Sequence, residues 1–386
     1  MRILIVNRHF GSDHVPTGRM IGDLTRALAA MGHEPRVLTA RSSYTETAKD
    51  QNIVAGAKVS YLPTFGERYR FVSWLLFLAQ AMVCVPFMRW DRCILLTDPP
   101  FLGAVTLLLR PFPTRLRHVF WWTMDLYPEI LVSSGRLSET SLVHRLLRRL
   151  NAGIIRRMGG CILLGECQRA RMQTYPTWTD QHCLIIPPWD RRPIRPVPPA
   201  QNRFLERYAL HGKKIALYAG NLGEGHTFAP LTEAAKTLAD AHRDDWALVF
   251  VVRGSKKRQL IDATEGLSAI TVLDYQPVEW TSDLLCAASV HLITITDQSK
   301  GLVVPSKLYG VLKTEAPVLF LGPPDADTAR EIDHYQAGET LDSACSGAAV
   351  VAALDRLYDQ RHAINAARRP VDETGPERIA AFVTAQ

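Results

Sequence analysis

The chain has 386 residues, 47% of them hydrophobic and 22% charged, enough apolar material for two packed domains and far from the composition of a disordered chain. Forty-five Lys and Arg against 38 Asp and Glu leave a net charge of +7, which favours anionic partners without choosing among phosphorylated metabolites, anionic lipid and nucleic acid. The cysteines (Cys84, Cys93, Cys161, Cys167, Cys183, Cys286, Cys345) show no CxxC pair and no His at metal-ligand spacing, which argues against a zinc site or a disulfide framework and for a reduced, cytoplasmic protein.

Ile3 to Val6 reads as a buried strand. Met20, Ile21, Leu24, Leu28 and Met31 then recur at helical spacing, Gly32-His33 closes that helix, and Val37 to Thr39 returns as a second strand. This is a βαβ unit, and it implies a parallel sheet covered by helices. The first strand runs directly into polar residues, unlike a signal peptide, and no export is expected. Between strand and helix, Arg8 to Thr17 form a loop whose Gly11 and Gly18 lead into a helix N-terminus. It offers free amides to an anion or a polar sugar, or is an ordinary βα connection.

Phe71 to Trp90 is nearly free of charge and long enough to cross a bilayer, but Ser73, Gln80 and Pro86 interrupt it and a span there would split the sheet. A buried helix is expected, with an interfacial helix as the second reading. Further strands are expected at Cys93 to Leu96, His118 to Trp122, Cys161 to Leu164 and Cys183 to Ile186. Just past one of them, Asp125 and Glu129 fall where a carboxylate is either a site residue or an N-cap. From His144 to Met158, arginines alternate with apolar residues at helical spacing. With Arg68, Arg70, Arg89 and Arg92 flanking the earlier apolar stretch, this suggests docking on an anionic membrane surface.

The proline-rich stretch from Pro187 to Pro199 must run extended. After it, strands are expected at Lys214 to Tyr218, Ala247 to Val252, Ile270 to Leu273, Val290 to Thr294 and Pro317 to Leu321. The fold class is therefore α/β, two Rossmann-like doubly wound domains facing across a cleft. Residues 1–190 form the first and 204–360 the second, joined by a linker at 191–203 and followed by a tail at 361–386 expected to pack as a helix on the first domain.

In the second half, the glycine-rich run Tyr218 to Gly225 sits between a strand and a helix, where backbone can approach a ligand closely. Arg253 to Arg258 brings a cluster of cations beside Gly254, suited to a diphosphate. In Lys300 to Gly310, Pro305, Ser306 and Lys307 open a helix. A cation in the first turn opposes the helix dipole, so Lys307 calls for a compensating anion.

Taken in order, RILIVNRHF, TGRM, GHEPRVLTA, LTDPP, WWTMDLYPE, LLGEC, IIPPWD, LYAGNLGEGH, LDYQP and GLVVPSKLYG resemble glycosyltransferase family 4 over roughly residues 1 to 335. More narrowly, they are similar to a bacterial branch assigned to N-acetylfucosamine transfer in surface-polysaccharide synthesis. The resemblance implies the GT-B fold and a retaining, metal-independent hexosyltransferase without a cofactor. The donor would be a nucleotide-diphosphate sugar, with UDP the expected carrier, and the acceptor a glycan or a lipid-linked glycan. The enzyme would be cytoplasmic or peripheral on the inner face of the membrane.

By position, the resemblance makes Asp125, Lys307 and Arg253 the catalytic residues. Ser306 and Lys307 would hold the diphosphate with Lys257 and the backbone of Gly301, Leu302, Val303 and Val304. Gly220 and Asn221 would face the phosphates and the sugar, Tyr275, Gln276 and Pro277 would read the base, and Gly18 would lie at the first-domain loop. The family's Glu-x7-Glu pair is Leu302 and Gly310 here, so contacts to donor hydroxyls pass to Asp327 or Glu331. Pro188 and Glu315 are further departures. Asp325-Ala-Asp327 spells a DxD, but no metal site is expected. A sugar-nucleotide 2-epimerase and a donor-binding scaffold without turnover are the alternatives. Nucleic-acid binding is not expected, because no aromatic-basic stacking stretch occurs.

Overall fold

A computed structural model describes residues 1–11, 15–41, 57–65, 69–109, 111 and 113–385. The chain forms two units. The first comprises Met1–Trp189, Gly301–Val303 and Glu373–Gln386, and the second Asp190–Lys300 and Val304–Asp372.

The first unit is built on a 7-stranded sheet of order β3-β2-β1-β4-β5-β6-β7. Its strands are β1 (Arg2–Val6), β2 (Glu34–Ala40), β3 (Lys58–Leu62), β4 (Arg92–Leu95), β5 (Val119–Trp122), β6 (Gly160–Leu163) and β7 (Cys183–Ile185), and every pairing is parallel. A parallel sheet is covered on both faces, so its inner strands read as continuous apolar runs. Alternate residues of β1 enter different clusters. Ile3 and Ile5 pack with helix α1 (Pro16–Ala30) and with Ile379, Ala380 and Val383 of the Gly375–Ala385 helix, while Leu4 and Val6 pack with helix α2 (Arg70–Phe87). Trp189 closes the unit by stacking on Trp122 at 5.7 Å and donating from Nε1 to Asp23 at 2.9 Å.

The second unit carries a 6-stranded sheet of order β10-β9-β8-β11-β12-β13, again parallel throughout. These are β8 (Lys214–Asn221), β9 (Trp246–Arg253), β10 (Ile270–Leu273), β11 (Val290–Thr294), β12 (Val318–Leu321) and β13 (Gly338–Leu341). The helices Ala229–Asp240 and Gly347–Ala367 cover one face through Leu231, Leu238, Val350 and Leu354. The helices Lys307–Val311 and Asp327–Tyr335 cover part of the other through Leu308, Tyr309 and Ile332.

Three features depart from the sequence reading. Of the four edge strands, β3 and β13 were not expected: their sequences, KVSYL and GETL, carry no continuous apolar run, whereas CLI of β7 and ITVL of β10 are apolar but for Thr271. The apolar stretch from Phe71 is not a buried helix. α2 buries Phe77, Ala81 and Val85 but exposes Phe71, Leu75 and Val83. Among the described residues no helix is long and apolar enough to cross a membrane. Of the arginines expected to flank α2, Arg68 lies outside the described residues, as do residues 12–14 of the loop after β1.

Candidate functional site

In a doubly wound sheet, ligands bind beyond the carboxyl ends of the strands where the strand order reverses, because loops there leave in opposite directions and open a crevice. In the second unit this point lies between β8 and β11. Lys307, the first residue of its helix, brings Nζ to 3.2 Å from the centre of the Tyr218 ring on β8. Gly220 borders it. Its φ of 149° suits glycine, and a Cβ there would come to 3.4 Å from Lys307 Cδ and 3.7 Å from Nζ.

The electrostatics of this point are one-sided. Lys307 as a residue keeps some surface in water, yet its Nζ is enclosed and has no hydrogen-bond partner. Burial alone holds the ammonium well below the usual lysine range. The ring over which it sits is a weak substitute for a counter-ion. Thr294 Oγ1, at the end of β11, is also buried and lies within hydrogen-bond reach of the Tyr218 hydroxyl. His226, at the end of the glycine loop, has Nδ1 2.5 Å from the carbonyl oxygen of Thr294. A carbonyl only accepts, so Nδ1 carries the proton and Nε2 remains an acceptor. Burial, reinforced by Lys307, pushes His226 down to about 4, and burial with Arg368 and Lys307 pushes His291 down to about 3. Both imidazoles are therefore neutral near pH 7. Buried polar atoms are almost always paired, and an enclosed amine without a hydrogen-bond partner at the reversal point is an exception to that rule.

Other residues expected here are distributed as follows. Arg253, at the end of β9, is exposed and places its guanidinium carbon 4.5 Å from the Tyr275 ring centre. Asn221 is its register partner on β8. Lys257 is ion-paired with Asp274, while Lys256 donates to the carbonyl oxygens of Glu224 at 3.2 Å and His226 at 2.7 Å and so closes the glycine loop. Gln276 accepts from Tyr208 Oη at 3.0 Å and donates to the Asp274 carbonyl at 2.8 Å, and Pro277 beside it is exposed. Ser306 precedes the Lys307–Val311 helix with no capping hydrogen bond from its side chain.

Gly301, Leu302 and Val303 belong to the first unit, and only Val304 stays with the second. A Cβ on Gly301 would strike the Cys167 carbonyl oxygen at 2.4 Å, and the Leu302 side chain is buried with Trp121 and Leu163. Asp327 lies 3.4 Å from Arg330, Asp325 is paired with Lys300, and burial raises Glu331 to about 6. Among the described residues no group of three or more His, Cys, Asp or Glu is placed to hold a metal ion. Gly310 has a physical reason: a Cβ there would meet Asp190 Oδ2 at 3.1 Å, so the carboxylate of Asp190, clamped by Arg192, fills the space a larger residue would need.

The reversal point of the first sheet lies between β1 and β4. Here the charges are matched. Arg8 Nε donates to Asp98 Oδ1 at 3.2 Å, and His9 Nε2 lies 3.1 Å from Asp98 Oδ2. The Asp125 amide donates to Thr97 Oγ1 at 3.1 Å, which leaves the carboxylate-bearing side chain exposed. Glu129 is committed elsewhere, to Arg148 at 3.0 Å and to the Tyr175 hydroxyl at 2.5 Å. Gly18 is buried in the first turn of α1.

Sequence reasoning did not single out Tyr218, His226 or Thr294 in the second unit, nor His9 and Asp98 in the first. The position of His226 at the close of a glycine-rich loop was the one available signal.

No family model matches the chain. Over 244 residues it is 30% identical to "Probable glycosyltransferase WbjE" of Pseudomonas aeruginosa. That stretch is 60% of this chain and 59% of the relative, so the match spans about three fifths of the relative's length. Among solved structures, the chain is similar to WaaG, a glycosyltransferase involved in lipopolysaccharide biosynthesis, with a TM-score of 0.68, 16% identity and 100% of both chains covered. It is also similar to HepE of Anabaena in complex with UDP-glucose, with a TM-score of 0.68, 12% identity, and 99% of this chain and 94% of that one covered. At these identities the structural likeness shows the fold alone, which is the two-sheet α/β architecture of GT-B glycosyltransferases.

Proposed function

We propose that this chain is a glycosyltransferase that moves a sugar from a nucleotide-diphosphate sugar to a glycan or lipid-linked acceptor in cell-surface polysaccharide synthesis. The observation that carries the reading is the enclosed Lys307 Nζ, without a hydrogen-bond partner over the Tyr218 ring, at the reversal point of the second sheet. A diphosphate supplies acceptor oxygens for this amine. It also supplies the negative charge that none of the groups around Lys307 provides. The relative and the similar structures name glycosyl transfer, and the complex of HepE with UDP-glucose supports UDP as the carrier.

The finer reading is a family 4 enzyme that retains anomeric configuration without a metal, an N-acetylfucosamine donor being the narrower expectation. In a retaining transfer without a protein nucleophile, the leaving diphosphate itself takes the acceptor proton on the face it departs from, and stabilising that diphosphate is then the protein's main task. Lys307 meets the growing charge, Ser306 and the Gly220-Asn221 backbone orient the phosphates, and Arg253 stands at the mouth beside Tyr275. Asp125 is the acceptor-side residue. The 2-epimerase reading needs proton-shuttling groups around the sugar, and the two histidines nearest Lys307 are held neutral and poorly basic.

Incubation with a panel of UDP-, GDP- and TDP-sugars, with and without EDTA, tests the reading through nucleotide release. Release from at least one donor, undiminished by EDTA and with the anomeric configuration kept, supports it. Binding of donors without release would leave the scaffold reading instead. Loss in EDTA with rescue by manganese would remove the metal-independent mechanism.

A further inference from the structure

Helix α2 is apolar nearly all round but covered on one side only. Ser73, Phe77, Ala81 and Val85 are buried, whereas Phe71, Leu75, Ala79, Val83 and Phe87 repeat at the same four-residue spacing along the opposite side and are exposed. Phe87 is 84% exposed, Phe71 67% and Val83 61%. Exposed positions of a surface helix ordinarily carry polar residues, and an unbroken apolar stripe along an 18-residue helix marks a surface that leaves water in use.

A second exposed stripe runs along the Leu142–Ile155 helix and the turn after it, where Leu142, Arg145, Leu146, Arg149 and Arg156 share one side. Both helices pack on the short helical segments Leu102–Ala104 and Val105–Leu108, so they cover the same face of the first sheet, and Leu108 between them is 45% exposed. Neither Phe71 to Trp90 nor Leu142 to Met158 contains an Asp or Glu.

We propose that this face of the first unit docks on an anionic lipid bilayer, α2 lying in the plane of the interface with its Phe71, Leu75, Ala79, Val83 and Phe87 stripe inserted. Arg145, Arg149 and Arg156 meet the lipid phosphates. Charge selects this occupant. A second copy of the chain would set the same arginines against each other, and an acidic protein surface would leave the apolar stripe without a partner. Apolar residues that enter the acyl boundary beside cations that meet headgroups are the two contributions an interfacial helix combines. The proposal stands on this surface and not on the donor site.

The full chain is sedimented with vesicles of phosphatidylcholine alone and of phosphatidylcholine containing about a third phosphatidylglycerol. The expected result at low salt is binding at least about tenfold tighter to the anionic vesicles, weakening as salt rises. Leu75→Glu with Val83→Glu, both at exposed positions and checked for an unchanged thermal unfolding profile, abolishes binding to both vesicles. Arg145→Glu with Arg149→Glu removes only the anionic preference. No vesicle binding by the unaltered chain, or full binding by the Leu75→Glu/Val83→Glu variant, overturns the proposal. So does a lipid-free dimer that the same pair of substitutions dissolves, since the stripe would then belong to a second copy. Because the readout is sedimentation and not turnover, it is independent of whether the donor reading holds.

Discussion

The two sheets reverse their strand order in the same way, yet the charges at the two reversal points are arranged in opposite fashion. Between β1 and β4, Arg8 and His9 close on the carboxylate of Asp98. Between β8 and β11, Lys307 is enclosed with only an aromatic ring beneath it, and the histidines around it are neutral. Equal topology therefore does not give equal sites. Burying an amine without an anion costs stability, and such a cost persists where a ligand supplies the missing charge. The cation of the first crevice has a carboxylate beside it, and the amine of the second has an aromatic ring.

The largest effect should come from Lys307→Met, which removes the cation but keeps the stem over Tyr218. Affinity for UDP should fall at least about tenfold, the loss of roughly 1.4 kcal/mol expected from one charged hydrogen bond, as read by calorimetry. The same variant should unfold at a higher temperature, by about 2 to 4 °C if roughly 1 kcal/mol of burial cost is relieved in a unit of this size. A drop in both would show that Lys307 is a structural residue and would erase the contrast.

The mirror experiment is Asp98→Ala, which strips Arg8 of a carboxylate. It should cost about 2 kcal/mol of stability in the first unit, seen in a denaturant melt, and leave UDP affinity unchanged. Gly220→Ala comes next. It places a Cβ on a residue with φ of 149°, so the backbone strain should cost about 1 to 2 kcal/mol and, by shifting the strand end beside Lys307, weaken UDP binding modestly. The smallest effect should be that of Arg253→Ala. An exposed guanidinium beside Tyr275 contributes a screened interaction, and a rise in donor KM of a few fold, abolished at high salt, is expected.

Much of this contrast was hidden in the sequence. The inner strands were legible because burial on both faces demands apolar runs such as Ile3 to Val6 and Ala247 to Val252. The edge strands β3 and β13 were not, because a half-covered strand can do without an apolar run, although β7 and β10 at the other edges are almost wholly apolar. Lys307 stood out because a cation opens its helix, but its enclosure depends on Tyr218 and Gly220, nearly ninety positions earlier, and no local pattern carries that. The pairing of Arg8 with Asp98 is equally remote. Gly310 looked like a missing carboxylate, and only the fold shows Asp190 standing against it. The exposed face of α2 was misjudged because hydropathy counts apolar residues without saying which side they face.

In the proposed function, Lys307 is an amine short of an anion and the donor diphosphate is that anion. Its folded-state proton affinity lies below the usual lysine value, and a bound diphosphate must raise it. Binding should then take up a proton, and affinity should rise as pH falls between the pKa of the bound form and that of the free form. His226 at about 4 and His291 at about 3 are too acidic to contribute above neutrality, and Glu331 at about 6 is avoided by working at about pH 8, where UDP is fully ionised. Calorimetric titration of UDP in buffers of low and high ionisation enthalpy measures the uptake directly. A buffer-dependent heat that reports net proton uptake is expected for the unaltered chain, and none for Lys307→Met. A buffer-independent heat for the unaltered chain, or the same uptake in the variant, would contradict it.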